Sequence, residues 1–268
     1  MREDLAAALA WQIELGADEA IAEAPQDRFE ESRPNSAPAK PPAPTAQKAA
    51  PPAAARQATP EAAFPSAAAL AGRATTLEDL SRALAEWQGS DLRKGARNCV
   101  FADGRPGAPV MVIGEAPGAD EDRLGKPFVG RAGQLLDRML GAIGLSRDAE
   151  DLAKAVYITN ILPWRPPGNR TPSEQETAAF LPFVERHIAL AGPKVLLTIG
   201  NTPTKTLLAT TQGIRRMRGN WQTHGASGLP LLPSFHPAYL LRQPAEKAQA
   251  WRDLLALQAR LEALSGNT

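Results

Sequence analysis

Five short segments of this 268-residue chain carry side chains suited to chemistry. Glu115 stands in Gly114-Glu-Ala-Pro-Gly118, directly after the apolar run 110–113. A carboxylate at such a turn can act as a general base or stabilise developing positive charge. Phe128, in Lys126-Pro-Phe-Val-Gly-Arg-Ala-Gly133, lies between Pro127 and Gly130, where a ring can stand over a pocket. Asn160 closes a second apolar run, and its amide donates and accepts at once. Arg165, Asn169 and Arg170 sit in a loop stiffened by Pro and Gly, with donors suited to phosphate oxygens. His236 heads His236-Pro-Ala-Tyr-Leu-Leu-Arg242 after another apolar run. Each has a plainer reading when taken alone: a core Phe, a turn Asn, a structural His.

The elements that must position these residues follow from hydrophobic periodicity. Apolar runs at 110–113, 155–160, 194–199 and about 230–235 read as strands. Helical spacing covers 132–143, 173–190, 202–209 and 245–263, and the domain opens with a helix after Thr75. Alternating strands and helices predict an α/β fold: a three-layer α/β/α sandwich with a central, mostly parallel four-stranded sheet. Functional loops then gather beyond Ile113, Asn160, Ile199 and Phe235, at the carboxyl ends of the strands.

Composition narrows the class. Hydrophobic residues make up 43%, and no apolar stretch approaches the roughly 20 residues of a membrane span, so a cytoplasmic protein is expected. The amino-terminal run has no apolar core or cleavage site of a signal peptide. The single cysteine, Cys99, excludes an internal disulfide framework and any four-thiolate site built by this chain alone. His187, His224 and His236 show no metal-ligand spacing, and the acidic run Asp120-Glu-Asp122 fits a solvated loop better than a metal site. Residues 1–70 carry 6 Lys/Arg against 10 Asp/Glu, so the remainder is net basic by 5 charges, as nucleic-acid contact would require without proving it.

Three regions are expected. Residues 1–24 hold a short helical pattern (Leu5, Leu9, Trp11, Ile13), either packed on the domain or acting as a partner-docking segment. Residues 25–74 read as a Pro/Ala-rich disordered linker, since 25–66 alone contain 10 of the 25 prolines. Residues 75–268 form the folded domain, which is expected to be a monomer.

Taken together, in this order, the motifs resemble those of family 4 uracil-DNA glycosylases, over about residues 75–262. The resemblance implies a monofunctional glycosylase that flips uracil out of DNA and hydrolyses its N-glycosidic bond, leaving an abasic site for base excision repair. It assigns catalysis to Glu115 and His236, His236 stabilising charge on uracil O2. Gly114, Ala116, Pro117 and Gly118 would shape the pocket, with Phe128 stacking on uracil and Asn160 reading its edge. Arg165, Asn169, Arg170 and Arg242 would meet the DNA backbone, with Arg215, Arg216 and Arg218 as further candidates, and Leu240 would be the wedge entering the vacated base site. Other branches carry Asp or Asn one residue later, where this chain has Ala116. A catalytically weak or inactive DNA-binding relative is the alternative. A covalently trapping branch has Gln in place of Glu115 and a histidine in the Arg-Pro-Pro loop, which reads here without one.

The family usually binds a [4Fe–4S] cluster through four cysteines. Their positions correspond here to Trp87, Ser90, Trp164 and Phe180, none of them a thiolate. No metal or cofactor is therefore expected, and the aromatic replacements are expected to fill the space by packing.

Overall fold

The computed structural model describes residues 65–265. The helical segment expected within 1–24 and most of the linker lie outside the described residues. In chain order the elements are α1 (Ala67–Arg73), α2 (Leu77–Glu86), α3 (Leu92–Gly95), β1 (Asp103–Gly104), β2 (Val110–Gly114), α4 (Ala119–Leu124), α5 (Arg131–Gly141) and β3 (Val156–Asn160). There follow α6 (Glu174–Ala191), β4 (Val195–Ile199), α7 (Asn201–Leu208), α8 (Ile214–Met217), β5 (Gln222–Thr223), β6 (Pro230–Ser234), α9 (Pro237–Arg242) and α10 (Lys247–Ser265).

One sheet runs in the order β1-β3-β2-β4-β6-β5. The four expected strands form its parallel centre. Two-residue antiparallel strands, β1 and β5, flank it, so six strands are present where four were expected. The central strands are buried on both faces, which is why they read as continuous apolar runs. Met111, Ile113, Tyr157 and Leu196 face a layer containing α1, α2 and α6. Val110, Val112, Val156, Ile158 and Leu197 face α5 and α10. The chain leaves β2 for β3 on one side and then crosses to β4 on the other, making the carboxyl end of β2 a switch point where ligands bind.

Order begins earlier than Thr75. Helix α1 lies inside the stretch read as linker, capped by Ser66, whose hydroxyl accepts from the Ala69 amide. Arg186 on α6 donates to the Ala74 carbonyl and ties α1 to the domain. The contact side of α1 is made of Ala67, Leu70 and Ala71, so a single large apolar residue gives no periodicity to announce it.

The four positions of the family's cluster ligands come together differently. Trp87 meets Phe180 edge-on at 5.2 Å between centroids, and Trp164 meets the same ring at 5.5 Å. Phe183 adds a fourth ring, 5.3 Å from Trp87. The Trp87 ring also lies over Gly89, leaving no room for a side chain there. Ser90 stays outside this cluster, its hydroxyl accepting from the Leu92 amide. A void of about 10 Å³ remains beside Phe180 and Phe183, at or below the space one water needs. These residues supply no thiolate, and at three of the four positions rings in mutual contact take up the space, so they do not fit a cluster.

Deeper in the same layer, His187 is a core residue. Its ring stacks on Phe101 at 4.3 Å and its Nε2 pairs with the Tyr157 hydroxyl at 2.9 Å. Burial pushes its pKa down to about 3.

The ring cluster joins the α2–α3 region, the Trp164 segment and α6. Trp164→Ala is therefore expected to lower unfolding free energy by about 3–5 kcal/mol through the cavity left behind. Ser90→Ala should cost below about 1 kcal/mol. Urea melts of the two variants check both values, and a Trp164 variant as stable as the parent would show that the rings are not a structural joint.

Candidate active site

A cavity of about 550 Å³ opens beyond the carboxyl ends of β2, β3, β4 and β6. Ten of the expected residues line it: Glu115, Ala116, Pro117, Gly118, Phe128, Asn160, Asn169, Arg170, His236 and Arg242. Gly114 sits just behind the wall. It pairs in register with Asn160 across β2 and β3. A methyl group on Gly114 would fall 2.4 Å from Asn160 Oδ1 and 2.5 Å from the Phe128 ring. Only a residue without a side chain lets the aromatic wall and the amide converge there.

Asn160 is 5% exposed, and its Oδ1 has no hydrogen-bond partner among the described residues. Leaving a buried acceptor unpaired costs about 1–3 kcal/mol. Asn160 also lines the cavity, so its amide lies beside whatever the cavity holds.

Phe128 is presented on a strained backbone, with φ of +53°. A non-glycine residue held there costs about 1–3 kcal/mol, so its surroundings must over-determine it. Arg147 does so. Its guanidinium donates to the Pro127 and Phe128 carbonyls, both at 2.9 Å. It is held in turn by Asp103 at 3.0 Å and Asp137 at 2.8 Å. Gly133 lies so close to the Phe128 carbonyl that any side chain there would collide with it.

Glu121 joins the two pocket loops. One carboxylate oxygen accepts from the Val129 and Gly130 amides and the other from Gly118. Asp122 accepts from the Arg97 and Asn98 amides. The acidic run is therefore structural rather than simply solvated. It also limits what the backbone of residues 116–118 can donate into the cavity: Gly118 N–H is spent on Glu121, and Pro117 has none.

His236 caps α9, its Nδ1 accepting from the Ala238 amide at 3.1 Å. In the neutral ring that fixes the proton on Nε2. Burial, and secondarily Arg242, push its pKa down to about 4, with Glu121 opposing. The ring centroid lies 5.6 Å from that of Phe128. Glu115 receives a hydrogen bond from Thr202 Oγ1 at 2.5 Å.

The polar loop is internally paired. Arg165 Nε donates to Asn169 Oδ1 at 2.7 Å, and Arg170 grips Glu176 with both terminal nitrogens. Arg170 holds the Glu176 carboxyl at about 2, well below its usual range. Among the arginines of this loop, Arg165 keeps its two terminal nitrogens outside these pairs. Arg218 is no DNA contact, because it pairs with the buried Asp253 and with Gln249. Arg215 and Arg216 stay exposed.

Leu240 needs the clearest correction. It is 1% exposed, packed with Leu135, Phe235 and Ala250. A side chain so placed cannot enter a duplex, whereas the next residue, Leu241, is 37% exposed.

The sequence reading did not find Arg147, Glu121 or Thr202. Glu121 had a signal, since a Glu three residues after a helix N-cap is a capping pattern. Arg147, in a polar Ser-Arg-Asp run, had none.

The chain belongs to the uracil DNA glycosylase superfamily, whose family model matches residues 101–255. Within it the similarity is to type-4 uracil-DNA glycosylases. That of Pyrobaculum aerophilum is 36% identical over 61% of this chain and 83% of the relative. Those of Saccharolobus solfataricus (41% identical, 57% and 71%) and Thermotoga maritima (36%, 63% and 85%) are similar. Among the described residues no cluster of three or more His, Cys, Asp or Glu could hold a metal ion. No helix there is long and apolar enough to cross a membrane.

His236 should stay neutral throughout pH 5–8, so its ring resonances should not titrate in that window. Unfolded, the same ring takes up a proton near pH 6.5. Between about pH 4 and 6.5 the unfolded state therefore binds more protons, and stability falls as pH is lowered through that range. On going from pH 7 to pH 5 the parent should lose up to about 2 kcal/mol more than His236→Gln. Denaturant titrations of both proteins at the two pH values measure the difference.

Proposed function

We propose that the protein is a monofunctional uracil-DNA glycosylase that acts as a cytoplasmic, nucleoid-associated monomer on uracil-containing DNA. It flips uracil into the cavity, hydrolyses the N-glycosidic bond and leaves an abasic site for base excision repair. The observation that carries this reading is that Asn160, whose buried Oδ1 has no partner among the described residues, lines one cavity with Phe128, Glu115 and His236. Uracil N3–H matches that acceptor and uracil O4 matches the amide N–H, while cytosine presents the inverse pattern.

As the C1′–N1 bond breaks, N1 keeps the electron pair and charge spreads to O2. A neutral His236 donating from Nε2 stabilises that oxygen without giving up a full proton. Glu115 faces the sugar, where its carboxylate offsets the oxocarbenium-like charge and orients the water whose oxygen bonds to C1′, the proton that water loses ending on the departing uracil anion. Among the described residues no lysine lines the cavity, which supports hydrolysis over Schiff-base chemistry. Arg165 and Arg242 take phosphates on either side of the flipped nucleotide. The chemistry requires no metal, in keeping with the single cysteine and the ring-filled ligand positions.

Incubation with a uracil-containing oligonucleotide followed by alkali tests this reading. Scission only after alkali is expected. Asn160→Ala and Glu115→Gln should slow the reaction by about 10²-fold or more. An oligonucleotide left intact by the parent protein would leave the reading of an inactive DNA-binding relative. A denaturation-resistant adduct would point to covalent trapping.

The wedge assignment moves to Leu241. Leu241→Ala should slow excision from duplex DNA while leaving single-stranded substrate within about two-fold. Leu240→Ala should instead cost about 2–5 kcal/mol of stability. Kinetics on paired and unpaired substrates, alongside melts, separate the two leucines.

A further inference from the structure

We propose that Thr202 is a positioning residue for the reaction: its hydroxyl holds the Glu115 carboxylate in its working orientation. The inference deepens the glycosylase reading and rests on it, since it concerns how Glu115 is aimed.

A glutamate on a turn has three side-chain torsions, and an exposed one samples many rotamers. Glu115 is half-buried and fixed from both ends. Its backbone continues the β2–β3 ladder: Ile161 donates to the Gly114 carbonyl at 2.9 Å and Leu162 to that of Glu115 at 3.1 Å. At the far end, Thr202 Oγ1 donates to Glu115 Oε2 at 2.5 Å, the length of a charge-assisted O–H···O⁻ bond. Among the described residues no other side chain or amide bonds either carboxylate oxygen, so Oε1 is left for water or sugar.

The donor itself is rigid. Thr202 lies in the first turn of α7, whose start is locked from below. Gly200 adopts φ of +100° and donates to the Ser234 carbonyl at 2.9 Å. Thr204, fully buried, donates to the Gly200 carbonyl and pairs with Thr198 Oγ1. The same Gly200 lets His236 approach, since a methyl group there would stand 3.3 Å from the His236 Cβ. One turn of backbone thus sets Thr202, and through it Glu115, in the cavity that His236 also lines. Freezing a carboxylate before the reaction removes reorganisation from the barrier, as preorganised electrostatic catalysis requires.

The test uses Thr202→Val, which keeps the shape and removes the donor, and Thr202→Ser, which restores it. On uracil-containing DNA, Thr202→Val should lower kcat by about 10- to 100-fold, the loss of one hydrogen bond to a charged group. KM should stay within about two-fold. Thr202→Ser should recover most of the rate. In a Glu115→Gln background the Val substitution should add little, because residues acting through one another are not additive. Thermal melts identify a variant that has simply lost its fold. Wild-type kcat in Thr202→Val, failure of Thr202→Ser to rescue, or an undiminished penalty in the Glu115→Gln background would each overturn the proposal. Inactivity of the parent protein would remove the glycosylase reading instead, and this inference with it. The two failures are therefore separable.

Discussion

The site depends on one close approach. Where β2 ends, Gly114 brings its bare α-carbon against both the Asn160 amide and the Phe128 ring. That convergence follows from the parallel register, which pairs Gly114 with Asn160. It also requires Phe128 to turn inward on a left-handed backbone. Neither condition is cheap, and the surroundings are arranged to sustain them. Arg147 grips two consecutive carbonyls of the turn, Glu121 draws two loops together, and Gly133 leaves space for the Phe128 carbonyl. The charged groups around the cavity therefore divide their work: some are available to a ligand, and others keep the wall in place. Arg170, tied to Glu176, belongs mainly to the second kind.

The burial of Arg147 illustrates the energetics. A guanidinium taken out of water is costly, and it is tolerated when several partners satisfy it at once. Here two carboxylates and two carbonyls do so. Such a pair adds little net stability compared with an apolar filling, but it is directional, and direction is what the aromatic wall needs.

The parallel centre of the fold was legible because strands buried on both faces are written as unbroken apolar runs, and three of the motifs, those of Glu115, Asn160 and His236, follow such runs. Their convergence in one cavity follows from the topology. Other features left weaker traces. The edge strands β1 and β5 are two residues long, too short for any periodicity. Helix α1 packs mainly through alanines, which resemble linker composition. Leu240 and Leu241 are adjacent and chemically identical, so only the phase of α9 decides which one faces the core. Arg147 lies far in sequence from the turn it supports and looks like any polar loop residue. The substitution of rings for cysteines could be read from three positions, Trp87, Trp164 and Phe180, whereas the way they interlock, including the contribution of Phe183, required the helices to be placed.

The ring cluster has a consequence of a different kind. A junction made of indole and phenyl groups has no accessible redox couple and binds no metal that a chelator could remove. Its strength comes from packing and grows with the water it excludes. A joint of this type is complete as soon as the chain folds, with no delivery of iron or sulfide, and it is as sound in oxidising surroundings as in reducing ones.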